Sequence, residues 1–325
     1  MRITSYILIL LLCFSTTVYS NDIKISEESN SVKVIDKSSL KFKLITRVNK
    51  ISTNVIKTKV GDFVKLSIPS YTSNSIDGNP ELPSLNKLIS VPKGAKVVTK
   101  ILNKIVKTVH LEDYGIEMPL FPNQPSISKG DNPENIDFIF NKDSYSQNSF
   151  SQSNIVSIEL LGFMRDIELA RISVSPISYN PITNELKIIT NLEIEVSFID
   201  IDFAADKLSK QKYYSADFDH LYKKCLNYLP SNAKDVITTY PVKYVIVSDP
   251  VFQTALQPLI DWKTKKGFSV IEAYTNDPNV GTSTTSTKSY LQNMYDSATI
   301  NNPAPTYLLI VGDDTQVPSF VGAQH

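Results

Sequence analysis

Three prolines and two glycines fall within the stretch Gly78 to Ala95, GNPELPSLNKLISVPKGA. Proline fixes φ and carries no N–H, so Pro80, Pro83 and Pro92 forbid a helix here. The stretch reads as a turn, a short edge strand around Leu88-Ile89-Ser90-Val91, and a second turn at Pro92-Lys93-Gly94. Such a piece carries geometry rather than chemistry. It suits a rigid connection in a β-sandwich.

The neighbouring sequence agrees with a sheet protein up to about Ile201. Val64, Leu66 and Ile68 alternate with Lys65 and Ser67, and Ala170, Ile172 and Val174 alternate with Arg171 and Ser173. Leu192, Ile194, Val196 and Phe198 form the cleanest strand, with Glu193, Glu195 and Ser197 expected to face water. Leu111 to Pro125 is irregular, and the Ser-, Asn- and Asp-rich run from Ser126 to Asn154 reads as a long surface loop. Short strands with turn signals between them predict an antiparallel β-sandwich or jelly roll.

From Asp202 to Leu229 the chain is charged and helical, and Pro230 to Asp235 reads as an exposed linker. From Val242 the period switches. Tyr244-Val245-Ile246-Val247 is a continuous apolar run of the kind buried on both faces, followed by a helix to Lys266 and the stop Gly267. Pro258 should kink that helix or restart it. Phe268 to Ile271, a helix through Tyr290, Leu291, Met294 and Tyr295, and the buried strand Tyr307 to Val311 complete a βαβαβ unit. The expected fold is mixed: a β-sandwich and then the first βαβαβ of a parallel α/β domain, short of the strands such a domain needs. The expected divisions are 1–20, 21–201, 202–241 and 242–325.

Residues 1–20 read as a secretory signal. Arg2 supplies positive charge, Ile7 to Leu12 is apolar, and Val18-Tyr19-Ser20 is a cleavage site. The apolar run is short of the ~20 residues of a membrane span, so a secreted or extracellular protein without a transmembrane segment is expected. Lys+Arg and Asp+Glu both number 33, and this balance gives no reason to expect a nucleic-acid partner. Removing the signal removes Cys13 and leaves Cys225 alone, so internal disulfides are excluded. Cys225 falls at helical spacing with Phe218, Leu221, Tyr222, Leu226 and Leu229, which predicts a buried, inert thiol on a helix.

The residues that could carry chemistry are few. His110, His220 and His325 have no metal-ligand spacing, and His220 shares no helix face with Cys225. No G-x-S-x-G, P-loop or G-x-G-x-x-G occurs. Asp313 is the candidate site residue, because ligands of open α/β sheets bind beyond the carboxyl ends of strands. With Asp314 it suits either a hard cation such as calcium or a solvated turn.

Gly78-Asn79-Pro80-Glu81-Leu82-Pro83 followed by Val91-Pro92-Lys93-Gly94-Ala95 resembles the propeptide signature of gingipain-type cysteine peptidases. Tyr179-Asn180-Pro181, Leu186 and the strand Leu192 to Phe198 look like the close of that propeptide. Tyr244 to Val247, LQPLIDWKTKKGF from Leu256 to Phe268, and Tyr307 to Asp313 are similar to the start of the same family's caspase-like catalytic domain. The resemblance implies a secreted cysteine-type endopeptidase zymogen, acting on protein or peptide substrates after Arg or Lys. It also implies an intramolecular contact between prodomain and catalytic domain. The catalytic histidine and cysteine are expected after His325, so the chain is expected to be an inactive N-terminal fragment. Asp313 matches a calcium-binding aspartate of the family. The linker near Lys223, Lys224 and Lys234 is the expected processing region. The rival expectation is a non-catalytic secreted β-sandwich interaction module with a remnant α/β domain.

Overall fold

A computed structural model describes residues 22–73, 75–132, 136–151, 154–229, 241–320 and 322. The signal-like segment, Lys234 with its linker, and His325 lie outside these residues. The first part holds strands β1 (Asp22–Lys24), β2 (Ser31–Ile35), β3 (Lys41–Arg47), β4 (Lys50–Thr58), β5 (Gly61–Ser67), β6 (Thr72–Ser73), β7 (Pro83–Val91) and β8 (Lys96–His110). Helix α1 (Lys142–Ser146) follows, then β9 (Val156–Met164), β10 (Ile167–Val174), β11 (Ile177–Asn180) and β12 (Glu185–Ile199). These strands make three antiparallel sheets, β1-β4-β5, β6-β7-β10-β9, and β11-β12-β3-β2 with β8 along β12.

β12 joins two cores. Leu186 and Ile188 pack with Ile51, Leu66, Leu111, Leu120 and Tyr179 in the first. Ile189, Leu192, Ile194, Val196 and Phe198 pack with Phe42, Ile89 and Ile172 in the second. Even-numbered residues serve both because Thr190 is an extra residue in the pairing with β8, where the register slips between Ile189 and Asn191. A bulge of one residue turns every later side chain to the opposite face. The simple alternation in the sequence hides this change of face. Glu193, Glu195 and Ser197 are half-buried rather than exposed, with Lys41 and Lys43 of β3 lying across the two glutamates.

The proline-rich stretch gives a longer strand than its apolar run suggested, starting at Pro83 and pairing with β10 through Leu85–Val91. Its first turn depends on Gly78, at φ +81°, where a Cβ would sit 3.0 Å from the Asn141 nitrogen. Gly78 donates to Asn123 O and accepts from Asn141 N, fastening the 121–141 segment to the sandwich. That segment is more than a surface loop. Phe138, Phe140 and Tyr145 gather with Phe63 and Phe121 into an aromatic cluster.

Helices α2 (Phe203–Tyr213) and α3 (Asp219–Tyr222) follow the sandwich. α3 stops short of Cys225, which is 4 % exposed in the turn after it rather than on a helix. The helical spacing is interrupted because the chain is drawn to other partners. The Tyr222 hydroxyl donates to buried Asp166 at 2.6 Å, and Leu226 N donates to Leu88 O of β7.

The second part is a parallel sheet of β13 (Lys243–Ser248), β14 (Ser269–Tyr274) and β15 (Tyr307–Val311), with α4 (Gln253–Lys265) and α5 (Thr284–Asp296) between them. The order is β14-β13-β15, so the chain crosses over β13 before β15. Val245 and Val247 face α5, while Ile246 faces Leu256 and Ile260 of α4. That two-sided burial explains the continuous apolar run. α4 continues through Pro258 without a restart. β15 departs from the expectation of a buried strand, since Leu308 and Ile310 are 48 % and 54 % exposed at the sheet's edge. Among the described residues, no helix is long and apolar enough to cross a membrane.

Leu192 is fully buried in the second core, so Leu192→Ala is expected to cost about 3 kcal/mol, measured by urea unfolding. Burial raises the carboxyl pKa of Asp166 above its ordinary 3.8, outweighing the Tyr222 hydrogen bond. The folded state therefore holds this proton more tightly than the unfolded chain, and stability falls as pH rises from 3.8 through the raised value. Asp166→Asn keeps an acceptor for Tyr222 and removes the charge. It is expected to melt higher than the parent at pH 7 and to lose that advantage at pH 4, in paired thermal scans.

Candidate functional site

The carboxyl ends of β13 and β15 flank the point where the strand order reverses, the usual ligand position in an open α/β sheet. A cleft of about 990 Å³ opens beside this point, between α5 and the carboxyl end of β15. One wall is the α/β part: Thr287, Lys288 and Tyr295 of α5, then Asp313, Asp314 and Phe320 beyond β15. The other wall comes from the sandwich and α2, through Lys93, Phe163, Arg165 and Tyr213.

Arg165 holds the two walls together. It sits with Asp166 in the two-residue turn between β9 and β10, where Met164 pairs with Ile167. Its φ is +57°, a left-handed conformation that glycine adopts most easily in such turns. The guanidinium donates from Nε to Tyr213 O at 2.7 Å and from Nη1 to Pro305 O at 2.9 Å. Its face lies 5.0 Å from the Phe218 ring centroid. Pro305 leads into β15, so the hairpin tip grips the strand that ends at the cleft. Ala304 N donates to Lys212 O at 3.0 Å, the Thr306 and Ser215 hydroxyls bond at 3.2 Å, and Tyr213 stacks on Tyr295 with centroids 4.9 Å apart. Arg165, Tyr213 and Tyr295 carry no motif. The one trace in the sequence is a hairpin turn written Arg-Asp between alternating strands, where Asn-Gly or Gly would be usual.

Asp313 lies where the sequence places it, in the turn after β15. Its Oδ1 accepts from Thr315 N at 2.8 Å and Thr315 Oγ1 at 2.6 Å, while Asp314 Oδ1 accepts from Ser319 N and Oγ, both at 2.8 Å. These hydrogen bonds lower both carboxyl pKa values. Gly312 turns at φ +132°, where a Cβ would meet Gln316 Cβ at 2.8 Å. The two aspartates thus build a tight turn. Calcium takes about six to eight oxygen ligands. Among the described residues, no three His, Cys, Asp or Glu side chains gather into a metal site. Asp313 and Asp314 do not make a calcium shell by themselves.

No Cys–His dyad forms among the described residues. Burial alone pushes the Cys225 thiol up to about 11, while His220 Nδ1 lies 2.8 Å from Asp217 O and His110 lies 3.2 Å from Glu185. Cys225 is structural.

Two family models match successive parts of the chain. Residues 24–216 match the family Propeptide_C25, and residues 237–324 match Peptidase family C25. Lys-gingipain of Porphyromonas gingivalis is 32 % identical over 300 residues, covering 90 % of this chain and 17 % of its own length. The chain thus spans about a sixth of that relative. A solved structure concerning zymogenic latency of gingipain K from the same organism aligns with 34 % identity and a TM-score of 0.53, covering 55 % of this chain and 98 % of that one. A complex of the pro- and mature domains of RgpB, at 20 % identity and TM-score 0.50, shares the fold, covering 61 % of this chain and 98 % of that one. A propeptide match across more than half the residues, followed in order by a peptidase match, leaves one assignment: the chain belongs to the gingipain-type C25 cysteine peptidase precursors and contains their propeptide region.

Proposed function

We propose that this chain is the N-terminal part of a secreted peptidase zymogen, in which the sandwich holds the α/β part latent by covering the carboxyl end of its sheet. One observation carries the reading: Lys93 and Phe163 of the sandwich line the same cleft as Asp313, Asp314 and Phe320 beyond the carboxyl end of β15. An extended peptide entering at that end of the sheet would compete with Lys93 and Phe163 for space, while Arg165 anchors the hairpin tip to Pro305 O at the amino end of β15. The chemistry of the complete enzyme is thiolate attack on a peptide carbonyl with protonation of the leaving amine. Lysyl or arginyl substrates are part of the same proposal, by analogy with the relatives. Cys225 supplies no nucleophile, being buried with a raised pKa. The chain by itself is catalytically silent. Processing would separate the propeptide-like and peptidase-like regions by cutting between residues 216 and 237.

Two measurements test this. Incubation with lysyl and arginyl peptide substrates, in calcium and reductant, is expected to give no turnover. Turnover abolished by a thiol-blocking reagent would overturn the silent-chain reading. Arg165→Ala removes the hydrogen bond to Pro305 O and the one that holds the guanidinium on Tyr213 O, so amide exchange across 304–307 should accelerate about tenfold while exchange in β12 stays unchanged. Equal exchange in parent and variant would count against a latch at the hairpin tip.

A further inference from the structure

β7 has two unequal neighbours. β10 pairs with it from Leu85 to Val91, but β6 covers only Pro83 and Ser84 on the other side. An open edge of N–H and C=O groups invites another strand. The edge beyond β6 is filled by two residues far along the chain. Leu226 N donates to Leu88 O at 2.8 Å. Asn227 then treats Ser90 as a neighbouring strand would. Its Nδ2 donates to Ser90 O at 2.8 Å, and its Oδ1 accepts from Ser90 N at 2.9 Å. One side-chain amide thereby replaces a peptide group of the missing strand. Asn227 is 6 % exposed, and Leu226 packs against the second core. Lys37 Nζ donates to Tyr228 O at 3.3 Å, and the Tyr228 hydroxyl donates to Asp219 at 2.7 Å.

The residues just before this contact are also committed. Lys223 N, Lys224 N and Cys225 N donate to Asp219 O, Leu221 O and Tyr222 O, each at 3.0 Å. The Lys223 ammonium pairs with Asp219 at 2.8 Å. A peptidase takes its substrate as an extended strand over several residues on each side of the cut bond. Presenting Lys223 or Lys224 in that form would require unwinding α3 and pulling Leu226 and Asn227 off β7.

We propose that Leu226 and Asn227 form a strand-mimicking lock on the β7 edge, and that the closed lock shields the peptide bonds after Lys223 and Lys224 from cleavage. Of the three lysines around which processing is expected, Lys223, Lys224 and Lys234, the first two would then be out of reach while the lock is closed. The zymogen reading gives the lock its biological meaning. The shielding itself belongs to the folded chain whether or not that reading holds.

The test is a timed digestion of the folded full chain with a lysine-specific endopeptidase, followed by mass spectrometry. Lys129, exposed in the 121–141 loop, is the internal reference. Cleavage after Lys223 and Lys224 is expected to run at least about tenfold slower than after Lys129, because cutting a shielded bond tracks the population of the opened state. Asn227→Ala should bring the two rates within a few-fold of one another, leaving the Lys129 rate unchanged. Parent cleavage after Lys224 as fast as after Lys129 would overturn the proposal, as would a folded variant with no acceleration. If Asn227→Ala fails to fold, amide exchange at Leu226 in the parent chain decides. Strong protection supports the lock, and exchange at the rate of a free loop overturns it.

Discussion

Burial of β12 on both of its faces is the constraint from which the prodomain follows. Its first half closes one core against β11 and β5, and its second half closes the other against β3, β7 and β10. Neither core is independent of this strand. A bulge at Thr190 permits it, by turning the apolar series from one face to the other where the pairing with β8 slips by one residue. The lysines of β8, spaced along the outer edge of the same sheet, discourage pairing with another chain.

The peptidase-like part depends on the sandwich in a different way. Its three strands bury β13 well and β15 poorly, so helices alone do not secure the edge strand. The sandwich compensates by gripping the approach to β15 through Arg165, Lys212 and Ser215. Burial builds the first part, and directed hydrogen bonds attach the second. A contact of that kind is specific and separable, as the contact between a propeptide and its enzyme has to be.

Much of this was legible in the residues. Proline placement around β7, the alternation in β5 and β10, and the continuous run in β13 each followed from local sterics or burial. The order of motifs located the family. Long-range geometry was hidden. The face change in β12 lies behind an unbroken even-numbered alternation, and Cys225 left its helix because Asp166 and Leu88, both distant in sequence, compete for its neighbours. Arg165 is an ordinary surface residue in the sequence. Only the turn that strains it and the carbonyls it meets give it a role. Asp313 lies at the strand end that the sequence indicated, and its hydrogen bonds to Thr315 hold a tight turn there.

The pairing of Ser90 with Asn227 spans 137 residues. A chain emerging from the ribosome exposes the β7 edge long before the amide that covers it has been made. During that interval the half-built sandwich offers a free strand edge to any passing extended segment. The order of synthesis therefore makes the C-terminal end of the prodomain its last safeguard against mispairing, and ties completion of the fold to arrival of the segment that joins it to the peptidase.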